Sequence, residues 1–342
     1  MTTKARTIHL LRASGVSLQS TLCQLKASLH RFNIFAAAPL LSFTLFPFIS
    51  NANATPFNLT DAWQSLSPRV AVREIIVHPE ALFPSRIVFA RLSDATEPYP
   101  NSSPTEKPLR PRLRVLTAQE FGYPVLSARE IAGHAGASLT INANFFDEKA
   151  SPLGAIVAGG ILKRKAHRSG RALSGIFQID SRGPHILHRD TFSPLGVIEA
   201  VQAGPRLIDN GSPTPGVRDS FSTRRAGICI NKEGEIIVFC VSSGLFTLTM
   251  PSLQELLASP TIGCSEALNL DGGGSAQIFA RSPISTQIST PTQEVIVEGI
   301  DRVPVFLGFF DDTATASSGV KAPAPNHLPI TDLSVEPKKE RK

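Results

Sequence analysis

Apolar and polar residues alternate over Val70–Val77 and Arg86–Leu92, and both runs are rich in β-branched side chains. A period of two with that composition predicts two strands, each burying one face. The strongest β signal is 227–242, where two apolar runs flank Asn231-Lys232-Glu233-Gly234 as in a hairpin. Shorter apolar runs predict strands at Ser138–Asn142, Ala155–Ala158, Gly175–Ile179, Val197–Val201, Ala267–Leu270 and Val303–Phe310. Helical signals are few. Ser127-Ala128-Arg129-Glu130 and Ser252-Leu253-Gln254-Glu255 have the form of capping boxes. They predict short helices running toward Gly133 and stopping before Pro260. The pattern as a whole is α+β: one domain of mixed, mainly antiparallel sheets with a few short helices.

One arrangement recurs at 127–147 and 252–275: a capped helix, a glycine, a short strand and a polar elbow. Asn142 and Asn269 occupy similar places in the two units. No short fixed period accompanies them, so they read as two ordinary helix–strand units.

The ends differ from the body. Phe32–Ile49 is almost free of polar residues, follows a basic segment and is followed by small residues at Ala52 and Ala54. Basic, apolar and A-x-A regions in that order predict an export signal over residues 1–54, cleaved near Thr55. Pro39 and Pro47 argue against a permanent span, and no second apolar run reaches spanning length. The expectation is a periplasmic or secreted protein with no stable membrane span after cleavage. Residues 55–311 form the expected catalytic domain, with 93–112 as an exposed loop rich in Pro, Ser, Thr and charge. Residues 312–342 read as a disordered basic tail.

Charge changes meaning once it is located. The net charge is +6, yet Lys4, Arg6, Arg12, Lys26 and Arg31 stand in a segment without acids. The tail from Lys321 adds +2, which leaves residues 55–320 at −1. There is one Trp and two Tyr against 20 Phe, which is core usage and no stacking surface for bases. Nucleic acid is therefore not an expected partner. The basic run Lys163–Arg171 reads as a solvated loop. His185 and His188 read as ordinary histidines, with no metalloprotease context.

Four cysteines are present, and Cys23 leaves with the signal. If Ile230 faces Glu235 in the hairpin, Cys229 faces Ile236, and Cys240 lies roughly 13 Å further along. A disulfide needs Cα atoms within about 7 Å. Cys229, Cys240 and Cys264 are therefore expected as buried free thiols. No Cys/His spacing resembles a zinc site.

The sharpest candidate for chemistry is Asp271-Gly272-Gly273-Gly274-Ser275, directly after a buried strand. The strand would hold the carboxylate, and the glycines would let successive N–H groups line an anion nest. The string lacks the lysine of a nucleotide P-loop. The other elbow, Asn142-Ala143-Asn144-Phe145-Phe146-Asp147, places two amides on one face of an extended chain, and amides suit sugar hydroxyls. Gly204-Pro205-Arg206 offers a guanidinium after a rigid dipeptide, and Arg225 could supply a second cation.

Residues 138–147, 152–160, 202–211, 225–229 and 266–275 together resemble the phosphodiester glycosidase family. Its most specific motif here is Ala267-Leu268-Asn269-Leu270-Asp271-Gly272-Gly273-Gly274-Ser275. Ala143 and Arg225-Ala226-Gly227-Ile228-Cys229 depart from the family's usual residues. The resemblance runs through about 70–310. It implies a hydrolase of sugar-1-phosphodiester bonds: an exported glycosidase tied to exopolysaccharide or cell-envelope glycan. The residue chemistry accepts that reaction, because a phosphate leaving group with an acidity near pKa 6 needs less protonation than an alcohol. On this reading Asp271 is base or nucleophile, and Asp147 is the second carboxylate. Asn142, Asn144 and Asn269 bind hydroxyls, while Gly272, Gly273, Gly274, Ser275, Arg206 and Arg225 clamp the phosphate. No cofactor is required, and a divalent cation such as Ca2+ stays open as an addition, because Asn/Asp clusters bind hydroxyls as readily as Ca2+. The expected partner is a sugar-phosphate or glycan substrate. Two alternatives stand beside it: a non-catalytic module that binds an anionic exopolysaccharide, and a phosphodiesterase that attacks phosphorus.

Overall fold

Three β-sheets share one apolar centre in the computed structural model. It describes residues 55–56, 58–77, 84–98, 109–170, 172–218, 224–242, 248–283 and 292–311, all of which fall in one compact unit. The expected export signal, residues 1–54, and the expected tail, residues 312–342, lie outside the described residues.

The eight-stranded sheet runs, in spatial order, Ser212–Pro213, Arg206–Asp209, Cys264–Asn269, Arg225–Asn231, Ile236–Ser242, Ser85–Leu92, Val70–Val77 and Gln64–Ser67. A six-stranded sheet has Thr55–Pro56, Gln293–Val297, Ile278–Arg281, Leu139–Asn142, Val305–Phe309 and Leu113–Thr117. A five-stranded sheet has Ile161–Arg164, Ile156–Ala158, Val197–Ala203, Gly175–Asp180 and Gly183–His188. Pairing among the described strands is antiparallel, except that Thr55–Pro56 runs parallel to Gln293–Val297. The fold class is α+β with mainly antiparallel sheets, as the sequence implies.

Val88, Ile228 and Leu268 from the large sheet meet Ile141 and Leu307 from the second and Phe177 and Val201 from the third. Most of these are fully buried, at about 25 cal/mol per Å2 of apolar surface removed from water. Helix Ala128–Ala135 starts at Ser127, whose hydroxyl oxygen accepts from Glu130 N, and the Glu130 side chain returns to Ser127 N. The first capping box is therefore real. Its Ile131 and Ala132 pack against Phe279 and Phe306. Helix Met250–Ala258 covers the far face of the large sheet through Leu253 and Leu257.

That second helix corrects an expectation. It is capped by Thr249, not Ser252; Thr249 Oγ1 accepts from Ser252 N, with Pro251 in the first turn. Proline is well suited there because the first N–H groups have no intrahelical acceptor. The cysteines give a second correction. Cys229 and Cys264 form a disulfide across neighbouring strands, with Cα atoms 5.8 Å apart, while Cys240 is buried and free. The hairpin register also differs by one position, since Ile230 faces Ile236. The partner of Cys229 lies on the strand at its other side, which comparison with Cys240 alone could not find. A third correction concerns 93–112. Thr96–Pro98 and Leu109–Pro111 pair as a ribbon, and Arg112 is buried; residues 99–108 lie outside the described residues.

Candidate active site

Four chain segments converge on the end of strand Cys264–Asn269. Asn269 N donates to Pro205 O, Leu270 N to Ala226 O, and Asp271 N to Ala143 O. Gly273 N donates to Arg224 O. The elbow after 142, the Gly-Pro-Arg segment, the start of strand Arg225–Asn231 and the glycine turn are thus knitted together by main-chain bonds.

Each glycine of the turn has a steric reason. Gly273 has φ +59°, a conformation that side chains disfavour. A Cβ on Gly272 would lie 2.8 Å from Arg224 O, and one on Gly274 would lie 2.0 Å from the Asp301 carboxylate. Asp301 is carried by a loop whose Ile300 and Asp301 N–H groups both donate to Gly274 O.

Asp271 is half-buried. Burial pushes its carboxyl up to about 6; hydrogen bonds from the Ser275 hydroxyl and Gly272 N–H act downward, and the charge of Asp301 adds to the rise. A carboxylate tuned this way is ionised at neutral pH and still a usable base. The carboxylate whose charge reaches Asp271 is Asp301, which sequence reasoning missed. Asp147, expected as the second carboxylate, is exposed and accepts from Lys149 N and Ser151 N at 2.9 Å, capping its own turn.

The three asparagines are buried. Asn142 donates to Asp271 O at 2.7 Å and accepts from Gln277 N at 3.0 Å, so it positions Asp271, and its complete burial leaves no surface for a hydroxyl. Asn144 donates to Leu153 O, Ala155 O and Gln202 O, and Asn269 to Gly204 O and Leu270 O. Their amide donors hold backbone together. Only the Oδ1 atoms of Asn144 and Asn269 have no donor among the described residues.

The expected anion nest is also largely closed. Gly272 N–H serves Asp271, Gly273 N–H serves Arg224 O, and Ser275 N donates to Gly272 O. Arg206 turns to Asp209 at 2.6 Å and Glu266 at 3.4 Å. Glu266 stands five residues before Asp271, roughly 15 Å back along an extended chain. That guanidinium is therefore held away from the glycine turn. Arg225 is half-buried opposite Val241 at the start of its strand. The neighbouring Arg224 donates to Ala276 O and to Glu298 O, bracing the turn against the 298–301 loop.

Gln277 is the other residue that sequence reasoning missed. Its Oε1 accepts from Ala128 N at the start of the first helix, while its Nε2 donates to Ser275 O and Asp301 O. Gln202 likewise accepts from Ala155 N and His167 N and donates to Leu173 O. Gln277 stands in no recognisable motif, and Gln202 opens the Gly-Pro-Arg segment without a signal of its own; long-range contact reveals both roles. Among the described residues no group of three or more His, Cys, Asp and Glu could hold a metal ion, and no helix is long and apolar enough to cross a membrane.

A half-buried carboxylate braced by a glycine turn at the end of a buried strand is the candidate site of this fold. The family model for phosphodiester glycosidase matches residues 135–310, more than half of the chain, and the chain belongs to that family. The zebrafish N-acetylglucosamine-1-phosphodiester alpha-N-acetylglucosaminidase catalytic domain, auto-inhibited by its pro-peptide, is similar in fold. The two superpose with TM-score 0.52 at 16% identity, over 74% of this chain and 86% of that one. A protein of Synechocystis matches with TM-score 0.42 at 16% identity, over 70% of this chain and 62% of that chain. An exported protein of Burkholderia pseudomallei matches with TM-score 0.41 at 11% identity, over 67% and 74%. No curated protein sequence matches the chain.

Proposed function

We propose that the chain is an exported hydrolase of sugar-1-phosphodiester bonds, acting on exopolysaccharide or cell-envelope glycan, with Asp271 as its reacting carboxylate. The observation that carries this reading is the state of Asp271: half-buried, pushed up to about 6, and held by Ser275 and Gly272 beside Asp301. Family membership and the likeness to a phosphodiester alpha-N-acetylglucosaminidase support the reaction class. The anomeric C–O bond breaks with its electron pair leaving on the phosphate, and water supplies the new oxygen on the sugar. Asp271 takes the proton of that water or first attacks the anomeric carbon itself. The departing phosphomonoester is a weak base and leaves without a strong acid behind it. Asn142 and Ser275 act as positioning residues that aim the carboxylate.

The test is hydrolysis of a GlcNAc-1-phosphodiester in 18O-labelled water. Label in the released sugar is expected; label in the phosphate would move the reaction to phosphorus. Absence of turnover on a panel of sugar phosphodiesters would favour a binding module instead. N-terminal sequencing of material from outside the cytoplasm should begin near Thr55, and a retained N-terminus would remove export from the proposal.

A further inference from the structure

A cleft of about 740 Å3 lies apart from the residues around Asp271. It is within the range of small-ligand clefts. Three cations line it: Lys149, Lys163 and Arg164. None of the three has an ion-pair partner among the described residues, although Glu120 shares the rim. Strand alternation would send Lys163 and Arg164 to opposite faces. The pairing of Ile161–Arg164 with Ile156–Ala158 shifts register between Leu162 and Arg164, and a bulge there lets both side chains line the cleft. The first two residues of the basic run that reads as a solvated loop are therefore the end of an exposed strand that lines the cleft, while the run stays largely solvated.

Tyr123 lines the same cleft, 43% exposed, with its ring against His134 at 5.1 Å between centroids. A fixed, half-exposed aromatic ring offers a flat face for the C–H groups of a sugar and a hydroxyl for hydrogen bonding. Ring face plus unpaired cations is the chemistry for a sugar that carries negative charge. The cleft also shares a segment with the candidate active site. Ala143 O binds Asp271 N, and the chain then runs through Leu153 N to Phe145 O and Asp147 N to Ser151 O, out to the rim at Lys149–Pro152.

We propose that this cleft is a subsite for an acidic sugar unit of the glycan chain whose phosphodiester is cleaved. The proposal rests on the reading of the chain as a sugar-phosphodiester hydrolase and names its substrate class: a glycan with uronic-acid-like or similarly anionic units.

Equilibrium binding to the full chain tests the subsite without any turnover. The probes are a labelled hexamer of galacturonic acid, maltohexaose of the same length, and inorganic polyphosphate. The acidic hexamer should bind and maltohexaose should not. Lys163→Ala/Arg164→Ala should weaken the acidic hexamer at least tenfold, and Tyr123→Ala about fivefold; Asp271→Asn should bind as the parent does. These side chains are exposed, and circular dichroism checks that each variant is folded. No binding of the acidic hexamer, or binding unchanged in both cleft variants, overturns the subsite whatever the enzyme hydrolyses. Equal binding of polyphosphate that ignores Tyr123→Ala overturns the sugar assignment, since charge alone would then suffice. Failure of the hydrolysis assay with intact, Tyr123-dependent hexamer binding would remove the catalytic reading and leave the subsite standing.

Discussion

The two polar elbows look alike in sequence and end in different chemistry. Each follows a buried strand, each carries asparagine at the strand's end, and each presents an aspartate shortly after. At the glycine elbow, the 298–301 loop, Arg224 and Gln277 close over the turn, and Asp271 is left half-buried with its carboxyl pushed up to about 6. At the other elbow nothing comparable covers Asp147, which is exposed and caps a turn with Ala150 at φ 59°. What packs on an elbow, more than its string of residues, decides whether its carboxylate is tuned or solvated. The glycines matter because they let that cover approach.

The largest expected effect separates the two aspartates directly. Asp271→Asn should lower kcat/KM on a sugar-1-phosphodiester by ~10³-fold, the loss typical when a positioned acid–base group is removed. In the parent, kcat/KM should fall as pH drops through about 6, because protonation removes the reacting form of Asp271. A variant with near-parental turnover, or a flat profile across that window, would make Asp271 structural.

A third carboxylate sharpens the comparison, because it is more deeply buried than Asp271 and is not at the site. Glu199 is 2% exposed, accepts from Val115 N at 2.8 Å and Gly159 N at 3.1 Å, and is pushed up to about 7 by burial. Arg114 opposes that rise and Glu120 adds to it. The folded-state value exceeds the ordinary 4.5, so its stability contribution is complete below about 4.5 and is lost as pH rises through about 7. The swing is about 3 kcal/mol. Glu199→Gln should flatten the stability-against-pH curve over that window relative to the parent, read by urea unfolding, while hydrolysis stays within about twofold. Asp271 contributes with the same sign in both proteins, so the difference between curves isolates Glu199. An unchanged curve would mean that burial at Glu199 is not what holds its proton.

Much of the scaffold was legible before any coordinates. Val70–Val77 is a strand to the residue, and the hairpin and the first capped helix were readable from period and turn chemistry, whereas the grouping of distant segments with Asp271 came from the resemblance to the family. The strands that were not read, such as Ile278–Arg281, Gly183–His188 and Arg206–Asp209, are short or carry proline, glycine or charge that mask a period. The site was legible in position more than in role. Asparagine donors were assigned to sugar hydroxyls, yet a buried amide first satisfies neighbouring carbonyls, as Asn144 does with three of them. Arg206 was assigned to phosphate, yet Asp209 and Glu266 already neutralise it. Asp301 carries no local signal, because only the close approach at Gly274 brings it to the turn.

That approach gives a smaller, steric test of the covered elbow. Gly274→Ala introduces a Cβ that would sit 2.0 Å from an Asp301 oxygen, so the carboxylate and its loop must move. Displacing a catalytic environment by about 1 Å costs on the order of 10–100-fold in turnover. The fall should appear mostly in kcat, and Gly274→Ala should lose little more when combined with Asp301→Asn. Full additivity of the two would show that the glycine is needed for something other than room for Asp301.

The smallest effect belongs to the uncovered elbow. Asp147→Ala removes acceptors for Lys149 N and Ser151 N, and these N–H groups then turn to water because the loop is exposed. The cost to stability should be about 1 kcal/mol or less. Turnover of a small phosphodiester should stay within about threefold, while binding of the galacturonate hexamer weakens by a similar factor as the Lys149–Pro152 rim loosens. Thermal unfolding, steady-state kinetics and hexamer titration on the one variant measure all three. A loss of turnover approaching that of Asp271→Asn would return Asp147 to the reaction and erase the distinction between the elbows. A loss confined to hexamer binding would place the two elbows in one enzyme with divided labour: one holds the reacting carboxylate, and the other shapes the wall along which the glycan lies.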